Sequence, residues 1–254
     1  MSSTTAAPPP TARPKGQRPA PGSSPARTIT ARRHFAWLAG GMAGAFLVPF
    51  AVADQLGLQR DLYYAVYVVA VIGLFVAWAR DTRQPLRRMV ARRWRLALGL
   101  GVLFAAISAF IATNAEDGTG HPGGFEFIAA LVWRGVVYGA ADGLLLSAFP
   151  ILLVFAALRD SARPRRRAGG IVAVAAVAMA ASLAMTAVYH AGYSDFRSDK
   201  LRKPVTGDLV WSVPTLATLN PIGAPLAHVG LHVGAVAHNY DTDLFLPPHG
   251  GTKE

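Results

Sequence analysis

The chain reads as an all-α, multi-pass transmembrane helical bundle, and three observations lead there. Of its 254 residues 52% are hydrophobic and only 15% charged, which leaves little for a soluble domain. The apolar residues gather in runs close to the roughly 20 residues that cross a hydrocarbon core of about 30 Å. The net charge of +11 is concentrated between those runs rather than along one basic face. The positive residues therefore act as topology signals, the bilayer is the expected partner, and no nucleic acid is expected. The chain has no cysteine, which excludes disulfides, thiolate nucleophiles, iron–sulfur clusters and cysteine-ligated zinc.

Residues 1–33 hold seven prolines, six Lys/Arg and no acid. With almost nothing apolar to bury, they are expected to form a disordered basic tail. The transmembrane domain follows over residues 34–238, with a C-terminal tail at 239–254. Residues 35–53, 62–79, 96–113 and 171–189 each suit one crossing. Residues 125–158 are too long for one perpendicular helix and short for two with a turn. In residues 209–236, Pro214 and the Asn220-Pro221 pair predict a broken first half ahead of a histidine-bearing second half.

Charge placement sets the expected count. Residues 80–95 carry seven arginines against one aspartate, and residues 159–167 carry five against one, so both loops belong in the cytoplasm with the basic tail. Taking 125–158 as a single crossing gives about six spans with both the N and C termini cytoplasmic. Abundant Ala, Gly, Arg and Pro with few Lys indicates a bacterial coding sequence, hence a bacterial plasma membrane. Trp37, Tyr63, Tyr64, Trp78, Trp94 and Trp211 fall near run ends and are expected to be interfacial anchors. The ladder Gly135, Gly139, Gly143 has the spacing that lets helices approach closely.

The stretch NPIGAPLAHVGLHVGAVAH at residues 220–238 places His228 and His232 on one helical face. Arg134, Tyr138 and Asp142 form a second polar stripe at i,i+4 spacing, and His190 closes the fifth run. Ionisable groups inside a membrane are expensive and mark functional sites, so these are expected to face one interior cavity that opens outward. Neutral imidazole suits zinc, iron and copper, which makes His190, His228 and His232 candidate ligands for a divalent metal such as zinc. Ordinary interhelical hydrogen bonds are the alternative for all three. No phosphate-binding glycine loop, His-Glu-x-x-His helix or nucleophile elbow occurs.

Three short patterns resemble the CPBP/Abi family of intramembrane proteases. Arg134-Gly135 five residues after Ala129 has the frame of that family's Glu-Glu-x-x-x-Arg motif, Thr186 to His190 that of Phe-x-x-x-His, and His228 to His232 that of His-x-x-x-Asn. Ala129 and Ala130 stand where the family has its paired glutamates, Thr186 where it has phenylalanine and His232 where it has asparagine. The resemblance implies a metal-dependent intramembrane hydrolase. The residues would be His190, His228 and His232 as ligands, Asp142 or Glu126 as base, and Arg134 stabilising negative charge. Three other classes stay open. The first of them, which the missing glutamates favour over the hydrolase, is a degenerate CPBP-like protein without proteolysis whose polar groups fix packing or bind a lipid, a membrane peptide or a protein partner. The others are a haem or quinone redox subunit and a transporter using the broken last segment.

Overall fold

The computed structural model describes residues 30–115, 117–158, 168–241 and 244–248. Among them there is helix and no strand. Five helices are long and apolar enough to cross a membrane: α1 (Ala31–Gln55), α2 (Arg60–Asp81), α4 (Trp94–Ala115), α5 (Gly124–Ala157) and α6 (Ala168–Ala191). The short α3 (Leu86–Ala91) links α2 to α4. The last segment is divided into α7 (Arg202–Trp211), α8 (Val213–Thr218) and α9 (Gly223–His238). Most of the expected tail and the arginine cluster at residues 159–167 lie outside the described residues.

Residues 125–158 belong to one continuous helix, not two. It spans roughly 50 Å at 1.5 Å per residue, and two π-helical stretches, Leu131–Tyr138 and Leu144–Ala148, interrupt its regular winding. A π-turn closes over one more residue than an α-turn, so side chains four apart there no longer stack.

The glycines put α9 at the centre, between α4 and α5. A Cβ at Gly139 would lie 3.1 Å from the His228 carbonyl oxygen, and one at Gly143 2.8 Å from that of Ala224. On the other flank, Gly230 and Gly234 of α9 meet the backbone of Ala105 and Ala109 in α4 with no room for a side chain. These contacts pack backbone on backbone, as small-residue spacing in a membrane helix allows. They hold both histidines of α9 against α5.

The break expected near Asn220-Pro221 falls at Leu219, whose φ of 53° takes the left-handed conformation and ends α8. That turn determines which end of the bundle the described C-terminal residues reach. Thr218 Oγ1 accepts from Asn220 N–H, and the Asn220 amide donates to the carbonyls of Val90 (2.8 Å) and Arg92 (2.7 Å), fixing this turn to the arginine-rich α3–α4 connection. From there α9 runs back to the opposite end, where the His238 carbonyl accepts from Thr119 N–H and the Tyr240 carbonyl from Arg60. Helix α2 measures the separation: Asp81 at its far end pairs with Arg33 of α1, while Arg60 at its start meets Tyr240. The described C-terminal residues therefore lie at the end opposite the start of α1. A segment taken as one crossing is a descending limb, α7–α8, and an ascending one, α9.

The aromatic expectation also needs correction. Tyr63, Tyr64 and Trp78 are fully buried and Trp211 nearly so. Trp94, about half exposed, and Trp37, half-buried and donating to Asp81 at 2.8 Å, retain the accessibility of an anchor. Nearness to a run's end did not show that these rings face the bundle, where tyrosines of α2, α5, α6 and the turn after α6 bond one another: Tyr63 to Tyr193 at 2.6 Å, and Tyr138 to Tyr189 at 2.7 Å.

Candidate functional site

Asp142, His228 and His232 converge between α5 and α9. Each is buried, and one ligand atom from each lies within 4.8 Å of the others. Asp142 Oδ2 is 3.1 Å from His228 Nδ1 and 3.3 Å from His232 Nε2, while Asp142 Oδ1 accepts from the Tyr67 hydroxyl at 2.9 Å. Both histidines face one side because they are four apart on a regular helix. Asp142 reaches them because Gly139 and Gly143 bring α5 against α9.

Behind this group lies a second buried carboxylate. His228 Nε2 is 3.2 Å from Ser147 Oγ, and Ser147 donates to Asp208 Oδ1 at 2.6 Å. Ser182 donates to Asp208 Oδ2 at 2.7 Å and Ser212 to Oδ1 at 3.0 Å. A hydroxyl has one hydrogen. With Asp208 ionised, that of Ser147 is already committed, so the contact with His228 requires a proton on Nε2. Then Nδ1 of His228 faces Asp142 either as a second N–H, making the ring cationic, or as the lone pair of a neutral ring. A lone pair against a carboxylate oxygen at 3.1 Å needs a proton on Asp142 or a metal ion between them.

The chemistry of the donors fits such an ion. A metal-bound histidine characteristically donates its other N–H to a carboxylate directly or through a polar neighbour, as His228 does through Ser147 to Asp208. Ligands about 2.0–2.2 Å from a tetrahedral centre stand a little over 3 Å apart, as Asp142 does from each histidine. A divalent ion would also balance the two buried carboxylates.

Asp142 and His232 of this group line a cavity of about 460 Å³, with His190, Trp211 and Lys203 and with Leu244 and Phe245 of the C-terminal segment; His228 lies behind its wall. Two lining nitrogens, His232 Nδ1 and Trp211 Nε1, are buried without a hydrogen-bond partner among the described residues. Indole N–H is a donor only, so the group that satisfies Trp211 must be an acceptor.

The expected site residues thus divide. Asp142, His228 and His232 come together, and His232, Asp142 and His190 share the cavity. His190 stands outside the close ligand group. Its Nδ1 donates to the Thr186 carbonyl at 2.8 Å, which fixes Nε2 as its basic nitrogen. Arg134 is elsewhere, in a bidentate pair with Asp61 at 2.8 Å for both contacts and beneath the Tyr240 ring. The π-helical stretch turns it away from the face of Asp142. Glu126 is exposed in the first turn of α5. Sequence reasoning missed Tyr67, Ser147, Ser182 and Asp208. Hydroxyls in apolar runs are weak signals singly, and Asp208 sits in a stretch whose other charges are solvated.

Comparison with known proteins returns no match to any family model, curated protein or solved structure.

Proposed function

We propose that this is a bacterial plasma-membrane protein that holds a divalent metal, zinc foremost, on Asp142, His228 and His232 and uses it for hydrolysis at the wall of the cavity. The observation that carries the reading is the convergence of three buried ligand atoms within 4.8 Å against a cavity. Three protein ligands with one open position is the arrangement of catalytic rather than structural zinc. A bound ion of this kind supplies an acidified water and polarises a carbonyl. Trp211 Nε1 offers a donor to a substrate oxygen in the same cavity, which His190 also lines. With Asp142 as a ligand and Glu126 on the surface, neither carboxylate serves as the base, and Arg134 takes a packing role with Asp61. Of the motif histidines of the CPBP/Abi resemblance His228 lies in this group and His190 outside it, while His232, which stands where that family has asparagine, joins the group with Asp142 as the carboxylate.

The positive-inside rule orients the molecule. The arginine-rich end carrying Arg80 to Arg95 faces the cytoplasm, so the cavity opens outward. The five long helices together with the α7–α8 limb and α9 then make seven crossings. Residues 239–254 hold one lysine against three acids, a balance suited to the outer side.

The test is metal analysis of the purified, detergent-solubilised protein beside His228→Ala and Asp142→Asn. About one equivalent of zinc in the wild type, lost from both variants, is the expected result. Equal trace metal in all three would leave the cluster as hydrogen-bonded packing and overturn the reading.

A further inference from the structure

A second cavity, of about 550 Å³, lies at the opposite end of the bundle from the histidines. Its wall is apolar and comes from crossing helices: Phe155 of α5, Val174 of α6 and Leu216 of α8. Its rim is cationic, formed by Arg88, Arg92 and Arg93 around α3. We propose that this groove binds an anionic phospholipid of the cytoplasmic leaflet, the arginines holding the phosphate and the apolar wall an acyl chain.

Charge complementarity selects the occupant. Among the described residues no carboxylate pairs with any of the three guanidinium groups. Three cations within one short connection repel each other and attract phosphate, which guanidinium matches in geometry. The apolar wall argues against a soluble anion, since phosphate alone would leave Phe155, Val174 and Leu216 uncovered. Basic pockets between membrane helices on the cytoplasmic side are where anionic headgroups bind.

The rim is also built rather than loose. The buried Asn220 amide donates to the carbonyls of Val90 and Arg92, and Arg93 takes a positive φ of 50° while donating to the Ala217 carbonyl at 3.3 Å. Leu86 and Met89 of α3 pack against the core, so this helix lies on the bundle. Its outward positions are left to the arginines. The turn that reverses the chain between α8 and α9 thereby also sets the headgroup side of the groove.

The experiment uses the delipidated full chain in detergent, offered phosphatidylglycerol or phosphatidylcholine with the same acyl chains, and measures the lipid retained. The expected result is a preference for phosphatidylglycerol on the order of tenfold. It should be lost in Arg88→Gln/Arg92→Gln/Arg93→Gln, kept in the corresponding triple Lys variant, and lost again in Val174→Trp, which fills the groove without touching charge. Unchanged preference in the Gln variant would overturn the proposal, as would unchanged retention in a monodisperse Val174→Trp variant. Displacement of the lipid by an oligoglutamate peptide that binds Val174→Trp equally well would do the same, assigning the arginines to an acidic protein segment. Should the Gln variant fail to fold, Val174→Trp and the wild-type preference decide the question.

Discussion

His228 Nε2 lies 3.2 Å from Ser147 Oγ, and Ser147 donates to Asp208 at 2.6 Å, so with Asp208 ionised the single hydrogen of the serine is committed and the imidazole is the donor. The pair transmits the state of a carboxylate on α7 to a nitrogen facing Asp142. Removing the intermediary should therefore act at a distance: Ser147→Ala is expected to weaken zinc binding by about 10–100-fold, with all three ligands intact. Competition against a calibrated chelator measures this. An affinity equal to wild type would show that the Asp208 cluster serves packing alone.

The reversed chain at Leu219 makes a topological prediction. Single cysteines at Thr119 and Asp241 should both react with an impermeant reagent from outside, and one at Arg87 only after the membrane is opened. The cysteine-free background makes the assignment direct. Protection of the Asp241 site alongside reaction at Thr119 would return the C terminus to the cytoplasm.

Gly230 and Gly73 should respond oppositely to alanine. A methyl group at Gly230 would run into the backbone of Ala105, whereas at Gly73 nothing lies within 4 Å. Overpacking against backbone should destabilise Gly230→Ala by about 1–3 kcal/mol or more. Gly73→Ala should gain up to about 1 kcal/mol from helix propensity. Denaturant unfolding in detergent would compare them, and equal stabilities would contradict the close seam between α9 and α4.

Arg134 and Asp61 form a bidentate pair whose side chains are 14% and 37% exposed. Asp61→Ala should cost about 1–2 kcal/mol, less than a fully buried pair because solvent reaches the carboxylate. The exchange Asp61→Arg/Arg134→Asp should recover part of it. A double-mutant cycle showing no coupling would remove this contact from the account of the bundle's outer end.

Much of the fold was legible because membranes impose length and charge rules that a sequence cannot evade. The apolar runs, the long fourth helix and the glycine ladder all follow from them. So did Asp142, His228 and His232, since ionisable groups inside an apolar helix are conspicuous. The direction of α9 was not legible, because α7 and α8 are too short and too polar to register as a crossing. Arg134 was misjudged for a different reason: i,i+4 reasoning assumes regular winding, and the π-helical stretch over Leu131–Tyr138 has no sequence signature. The tyrosines were taken as anchors because position along a run does not show which way a ring points.

The glycine seams on both flanks of α9 bear on biogenesis. Helices α4 and α5 leave the ribosome consecutively, yet the space between them belongs to a helix synthesised after every other helix described. The nascent bundle must therefore pass through insertion with that slot open, holding Asp142 without its histidines. A chain arrested before residue 223 would carry every long apolar helix and be retained in the membrane, yet lack the centre altogether. Synthesis of residues 223–238 is the event that brings the histidines to Asp142.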